Sequence, residues 1–474
     1  MSSLVVVANR LPVRRSDDGS WQTSPGGLVS ALQPVLAKLG GAWVGWTGDA
    51  GEAGEAFDHE GMHIVPVPLD ASEIENHYLG FSNASLWPLY HDAIREAEFH
   101  RHWWRPHVAV NRRFAKAAAE VAEPGSVVWV HDYQLQLVPG MLRELRDDVR
   151  IGFFLHIPFP PVEVFARMPW RTEVLDAVLG ADLLGFQTRT AAANFARTAV
   201  RHGTGVKRVK GGSNRALDVE GRTVRLDAYP ISIDPSQYEK LATDPDIVER
   251  AAGIKEAVGH RRLVFGVDRL DYSKGITHRL RAFEELLRRG DATSEDTVFL
   301  QSVVPSREGV DAYAELRSDV EELVGRINGD HGAIGRDAVI YLRQNLDPRD
   351  LVAHYLAADV LAVTPVRDGM NLIALEYLAT RVDDDGALLL SEFAGAAEWL
   401  GRYAVLINPY DVDGSADGLL RALSLDDAAR RKLVRGARRT IDRNSVHDWA
   451  RRFLGDLGAE ADADWPSDEL LSSA

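Results

Sequence analysis

The sequence predicts a doubly wound α/β protein of two domains, and three observations carry that expectation. The chain has 474 residues, too long for one compact core. Short β-branched runs alternate with longer stretches of helical period along most of its length. Most of the short runs are apolar throughout, which suits strands covered on both faces in parallel sheets.

Taken in order, strands are expected at 4–8, 42–46, 63–67, 126–131 and 150–156 in the first half. In the second half they are expected at 263–267, 297–302, 338–342, 360–363, 387–391 and 404–407. Helical patterns such as 108–121 and 277–289 lie between them. The alternation breaks once, at 217–228, which reads as a hairpin about Glu220-Gly221-Arg222. It restarts after Tyr229-Pro230-Ile231-Ser232-Ile233-Asp234-Pro235, which places a boundary near residue 236. The expected domains are 1–235 and 236–458, the final helix being a candidate to cross back to the first, with 459–474 as a frayed acidic tail.

Composition narrows the function. The chain is 45% hydrophobic and 26% charged, with no cysteine, which excludes disulfides, thiolate metal sites and cysteine nucleophiles. Its formal net charge of -16 makes nucleic acid a poor partner. The opening apolar run is too short for a signal peptide, and no segment approaches the roughly 18 continuous apolar residues of a membrane span. A soluble cytoplasmic enzyme without membrane partners is the expectation.

In two parallel-sheet domains, ligands are expected in a cleft at the carboxyl ends of the strands. Asn9-Arg10-Leu11-Pro12 follows the first strand, and Ser24-Pro25-Gly26-Gly27-Leu28 precedes a helical pattern. Paired glycines opening a helix let backbone N–H groups approach an anion, although a plain turn uses the same residues. Asp132, in His131-Asp132-Tyr133, can accept from sugar hydroxyls or cap the next helix. His156 ends a strand before Ile157-Pro158-Phe159-Pro160-Pro161, whose prolines fix a rigid loop.

In the second half, Asp268-Arg269-Leu270-Asp271-Tyr272-Ser273-Lys274-Gly275 puts Arg269 and Lys274 in one loop before a helix. Two such cations suit a pyrophosphate; a surface ion-pair loop with Asp268 and Asp271 is the alternative. The spacing is not that of an NTPase P-loop. Ser306-Arg307-Glu308 offers another arginine after a strand. The most informative run is Thr364-Pro365-Val366-Arg367-Asp368-Gly369-Met370-Asn371-Leu372-Ile373-Ala374-Leu375-Glu376. A strand ends, a tight turn follows and a helix begins, so the amides of Met370 to Leu372 would face an anion. Glu376, one turn later, is placed to accept both hydroxyls of a ribose. No H-E-x-x-H, EF-hand or G-x-G-x-x-G pattern is present, nor an Asp-x-Asp clamp after a strand.

With these residues in order, the chain resembles the trehalose-6-phosphate synthase family of retaining glycosyltransferases. The match also takes in Phe81-Ser82-Asn83-Ala84, Leu86-Trp87-Pro88, Ile151-Gly152-Phe153-Phe154-Leu155-His156, Gly325-Arg326-Ile327-Asn328-Gly329 and Glu392-Phe393-Ala394-Gly395-Ala396-Ala397. The resemblance implies the GT-B fold, two Rossmann-like doubly wound domains facing a central cleft. It implies glucosyl transfer from an NDP-glucose, UDP- or GDP-glucose, to glucose 6-phosphate with retention. The NDP-glucose is then a co-substrate, and neither cofactor nor metal is needed.

By position, the resemblance implies that Arg269 and Lys274 bind the donor diphosphate beside Gly26 and Gly27. Asp368, with Gly369, Met370, Asn371 and Leu372, takes the glucose hydroxyls, and Glu376 the ribose. Arg10 and Arg307 clamp the acceptor phosphate, with Tyr78, Trp87 and Asp132 completing that pocket, and His156 meets the donor sugar near the reacting carbon. Arg269, Lys274, His156 and Asp368 are the implied catalytic set. Leu375 stands where many relatives carry lysine, and Leu346 lies near a position where some place phenylalanine beside the base, so the base stays open. Two rivals use the same fold: a silent sugar-phosphate sensor, and a pseudo-glycosyltransferase joining cyclitols. The residues give no oligomeric state; the family implies a homo-oligomer, a dimer or tetramer.

Overall fold

The computed structural model describes residues 2–15, 20–24, 27–51, 54–92, 94–209, 215–305 and 311–458. Contacts divide the chain into two compact units. One runs to Ile231 and takes in the closing helix Val446–Leu457; the other is Ser232–Ser445.

The first unit is built on a ten-stranded sheet. Its parallel run is Arg222–Ala228, Leu183–Phe186, Arg150–Leu155, Ala122–His131, Ser2–Arg10, Ala42–Trp46 and Met62–Pro66, in that spatial order. Short antiparallel strands close both ends: Phe57–His59 at one, Ala216–Val219 and Val206–Arg208 at the other. Ser2–Arg10 therefore has Ala42–Trp46 on one side and Ala122–His131 on the other. The winding reverses beside it, and loops at the carboxyl ends of such a pair splay apart to leave a crevice.

The second unit carries a six-stranded parallel sheet, ordered Val339–Arg343, Thr297–Val304, Arg262–Arg269, Val360–Val363, Ala387–Ser391, Val405–Ile407. Numbered along this unit that order is 3-2-1-4-5-6, the dinucleotide-fold order, with its switch point between Arg262–Arg269 and Val360–Val363. The helix Ile276–Arg289 covers one face of the sheet. Its Ile276, Leu280, Phe283 and Leu287 recur at helical spacing and are buried, each stabilising by about 1.5–3 kcal/mol on full burial.

The strands expected from sequence are all present, most with longer or shifted ends. Ala122–His131 starts four residues before the expected 126, running through Pro124 and Gly125, turn formers in which no strand pattern is visible. The helix expected at 108–121 is Arg101–Val121 and holds Pro106 inside it. The hairpin forms as Ala216–Val219 and Arg222–Ala228. Leu183–Phe186 is a strand with no sequence signal, because four residues are too few to show a period.

The division between units falls after Ile231, beside the boundary expected at 236. Tyr229 stays with the first sheet: its N–H donates to Phe186 O (2.7 Å), its hydroxyl to Asp456 (2.8 Å), and its carbonyl accepts from Trp449 Nε1 (3.1 Å). The closing helix is packed there by Trp129, whose ring lies 4.5 Å from Phe453 and 4.9 Å from Trp449.

Candidate active site

In the first unit the residues singled out from sequence gather at the reversal of the sheet. Arg10 ends the strand Ser2–Arg10, and its carbonyl accepts from Trp43 Nε1 at 3.0 Å. Its guanidinium lies 4.0 Å from the centroid of the Trp46 ring and 5.6 Å from that of Tyr78. Aromatic faces attract a cation and hold it without consuming its N–H donors, so the fork keeps its capacity for an anion. Gly48 makes room for it: φ is +112°, and a Cβ there would stand 1.8 Å from a guanidinium nitrogen.

Tyr78 belongs to a π-helix, Ile74–Leu86, followed directly by the turn Trp87–Tyr90. Trp87 N–H reaches back five residues to Ser82 O, the wide winding that recurs at functional sites. Asn83, buried within it, donates to the Tyr78 carbonyl (2.7 Å) and accepts from the Tyr133 hydroxyl (2.9 Å). Trp87 is buried against Tyr133, with ring centroids 5.6 Å apart. One asparagine thus ties together the segments that carry Tyr78, Trp87 and Asp132.

Asp132 has φ +72°, uncommon for a residue with a side chain and a mark of local strain. Its N–H donates to Phe154 O (2.8 Å), and its carboxylate accepts from the His156 N–H (3.1 Å). The His156 ring approaches His131, Nε2 to Nδ1, at 3.1 Å. Burial pushes the His156 imidazole down to about 3, and holds His131, with His156 as a second cause, well below the ordinary imidazole range. Both rings are neutral near pH 7.

In the second unit the two informative loops meet at the switch point. Lys274 Nζ lies 2.5 Å from Asp368 Oδ2, and Asn371 Nδ2 donates to the same oxygen at 3.1 Å. Gly275 permits the approach: φ is +63°, and a Cβ would stand 2.1 Å from Thr364 O. Val366 N–H donates across the loops to Ser273 O (2.9 Å). Asp268 and Asp271 do not form the surface ion-pair loop weighed from sequence, because both are buried. Asp268 pairs with the buried guanidinium of Arg279, while Asp271 accepts from Ser273 N–H (2.9 Å) and the Tyr313 hydroxyl (3.2 Å). Burial raises the Asp268 carboxyl, and Arg279 and then Lys274 oppose it. Arg279 also donates to Lys274 O and Ala362 O, both at 2.9 Å, fixing the lysine's backbone to the central strand. Arg269 stands exposed at the end of its strand.

The helix after the turn is Leu372–Thr380, entered through Asn371 at φ +75°. Gly369 and Met370 are buried, and Met370 O accepts from Ala396 N–H (2.9 Å). Glu376 is half-buried, its carboxylate held by the hydroxyl of Tyr355 (3.0 Å) and by Tyr238. Burial raises that carboxyl, and the two tyrosine hydroxyls counter it. Leu375 is fully buried, whereas Leu346 is half-buried after the third strand of the sheet. Gly27 opens the helix Gly27–Leu39; Gly26 and Arg307 lie outside the described residues. Among the described residues no group of three or more His, Asp or Glu is placed to hold a metal ion, and no helix is long and apolar enough to cross a membrane.

The model of glycosyltransferase family 20 matches residues 2–459. The chain belongs to glycosyltransferase family 20. A family member from Mycobacterium avium, named trehalose-6-phosphate synthase, is 49% identical, the likeness covering 98% of this chain and 96% of that one. A solved Escherichia coli structure, described as bound with UDP-2-fluoro glucose, is 34% identical with a TM-score of 0.89, covering 96% of this chain and 98% of that one. A Burkholderia xenovorans alpha,alpha-trehalose-phosphate synthase (UDP-forming), solved in complex with glucose-6-phosphate, is 34% identical with a TM-score of 0.87. That match covers 96% of this chain and all of the other. The fold is therefore that of the family's solved members.

Trp46, Asn83, Tyr238 and Tyr355 are not among the residues that the sequence singles out, yet each touches one that is. Trp46 had a usable signal, since it ends a strand beside Thr47-Gly48 as Arg10 ends its own. Tyr238 and Tyr355 had none, because their helices show only core spacing.

Proposed function

We propose that this protein transfers glucose from an NDP-glucose to glucose 6-phosphate with retention, releasing the nucleoside diphosphate and trehalose 6-phosphate. The observation that carries the reading is likeness over nearly the whole chain to proteins of that name, one described as holding a UDP-glucose analogue and one glucose-6-phosphate. The geometry supports it: a cation–aromatic platform in one unit suits a phosphomonoester, and a lysine–aspartate pair at the other's switch point suits a sugar diphosphate.

The anomeric hydroxyl oxygen of the acceptor bonds to C1 of the donor glucose as the bond from C1 to the diphosphate breaks, on the same face. The departing phosphate oxygen takes the hydroxyl proton, so no protein nucleophile is consumed. Arg269 and Lys274 neutralise charge building on that oxygen. Asp368, with the Gly369-Met370-Asn371-Leu372 turn, holds the glucose, and Glu376 the ribose. Gly26 and Gly27 lie beside the diphosphate and Leu346 near the base. Arg10 and Arg307 hold the acceptor phosphate, Tyr78, Trp87 and Asp132 line its pocket, and His156 contacts the donor sugar. Positioning supplies much of the remaining barrier reduction. UDP-glucose is the favoured donor, because the solved relatives are described with UDP. The protein acts in the cytoplasm as a homo-oligomer, a dimer or tetramer.

The test is to incubate the full-length protein with glucose 6-phosphate and UDP-, GDP- or ADP-glucose, following nucleotide release and product. Trehalose 6-phosphate with UDP-glucose as best donor is expected. Absence of nucleotide release with every donor would leave the sugar-phosphate sensor in its place.

A further inference from the structure

The contact between His131 and His156 has a direction, and the direction bears on the reaction. The two ring nitrogens are 3.1 Å apart, a hydrogen bond, and both rings are neutral at pH 7 because burial disfavours their cations. Two neutral imidazoles joined through one nitrogen each must divide the roles, one donating and one accepting. The second nitrogen of each ring decides which.

His131 Nε2 is fully buried and meets no hydrogen-bond partner among the described residues. The His131 ring packs against those of Trp129, Phe154 and Trp449, 4.7, 6.3 and 6.4 Å from centroid to centroid. A proton on that nitrogen would be a buried donor without an acceptor, the costlier and rarer form of unsatisfied polar group. A bare lone pair facing an apolar wall costs less. The proton of His131 therefore sits on Nδ1, and His156 Nε2 accepts it. His156 then carries its own proton on Nδ1, which has no partner among the described residues, and the residue is only half-buried.

We infer that His131 is a positioning residue that fixes His156 as the Nδ1–H tautomer, aiming a hydrogen-bond donor at a hydroxyl of the donor sugar. The second half rests on the proposed placement of His156 at that sugar. The backbone makes the aim rigid, because the His156 N–H is held by the Asp132 carboxylate at 3.1 Å. A donor locked in place costs no reorganisation when the sugar flattens toward its transition state.

The test combines nitrogen-15 NMR of histidine-labelled full-length protein at pH 7 with kinetics, His156 signals being assigned from His156→Gln. The wild type should show His156 with a protonated Nδ1 and a bare Nε2, a measurement that needs no substitution at His131. His131→Phe keeps the ring but removes the donor. It should average or reverse the His156 tautomer and lower kcat about tenfold, with KM for glucose 6-phosphate little changed. His131→Asn, whose amide can donate from nearly the same position, should restore most of both. A wild-type His156 protonated on Nε2 overturns the inference, as do unchanged His156 shifts in His131→Phe. An altered tautomer with unaltered kcat removes His156 from the sugar, while the NDP-glucose panel still judges glucosyl transfer separately.

Discussion

The ammonium of Lys274 and the carboxylate of Asp368 lie 2.5 Å apart, from loops 94 residues separate in sequence. The loops follow the two strands flanking the switch point of the six-stranded sheet. Both side chains are largely buried, at 12% and 13% exposure, so the pair is less screened than a surface ion pair. Each charge offsets the other, and Asn371 donates to the same carboxylate oxygen.

That pairing predicts how the two variants differ. Lys274→Ala removes the cation meant for the departing diphosphate, and kcat should fall by roughly 10²–10³, with KM for glucose 6-phosphate nearly unchanged. Asp368→Asn keeps the shape but frees the ammonium, and its loss should be smaller. The double variant should be little worse than Lys274→Ala alone, since contacting residues are not additive. Steady-state kinetics of the three proteins decides it; unchanged turnover in Lys274→Ala sinks the assignment.

The Arg10 platform predicts an effect confined to the acceptor. In Gly48→Ala the new methyl group would overlap the guanidinium, a Cβ standing 1.8 Å from its nitrogen. Trp46→Leu removes the face beneath it, worth about 1 kcal/mol or roughly fivefold in binding. Both should raise KM for glucose 6-phosphate and leave binding of the nucleotide sugar alone. Calorimetric titration with each substrate separates the two affinities.

Glu376 and its tyrosines predict a graded loss of nucleotide affinity. Glu376→Gln removes a charged acceptor, and the nucleoside diphosphate should bind about tenfold or more weakly, since hydrogen bonds to charged groups contribute about 1.5–3 kcal/mol. Tyr355→Phe leaves the charge but drops the 3.0 Å hydrogen bond that orients it, and its effect should be smaller. Equal effects in the two variants would mean that the tyrosine, rather than the carboxylate, meets the ligand.

Three buried histidines and the half-buried His156 predict the pH dependence of stability. His77 and His107 lie with ring nitrogens 2.9 Å apart in the first unit, as His131 and His156 do at 3.1 Å. Burial pushes His77 and His156 down to about 3, and His107 and His131 well below the ordinary range. Once unfolded, each binds a proton below about pH 6.5. Between that pH and the folded values the unfolded state holds more protons, so stability falls as pH falls, by about 1.4 kcal/mol per pH unit per ring. The melting temperature should drop between pH 7 and pH 5, and His77→Phe with His107→Phe should make that drop markedly smaller. An equal drop in the double variant would show that the pair is not held neutral.

The sequence was most legible where a property is local. Apolar runs of five or so residues located most of the long parallel strands, because burial on two faces removes polar residues from a strand wherever its neighbours lie. Loops that follow strands carried the conspicuous residues, so Arg10, Asp132, His156, Arg269, Lys274 and Asp368 could be picked out before any fold was known. The π-helix at Ile74–Leu86 was not legible, since Asn76, Gly80, Ser82, Asn83 and Ser85 are weak helix formers and its winding is visible only in its hydrogen bonds.

By itself the sequence determined the α/β class, the positions of most strands of its two large sheets and the cations available for phosphate. The tertiary structure alone decided which of these meet. It joined Lys274 to Asp368, set Arg10 on Trp46, tied Tyr78 to Tyr133 through Asn83, and closed His131 on His156. Each contact depends on strand order, and strand order follows from how whole helices and sheets pack, not from any local pattern. The sequence can place two charges at strand ends, but only the fold makes those strands neighbours.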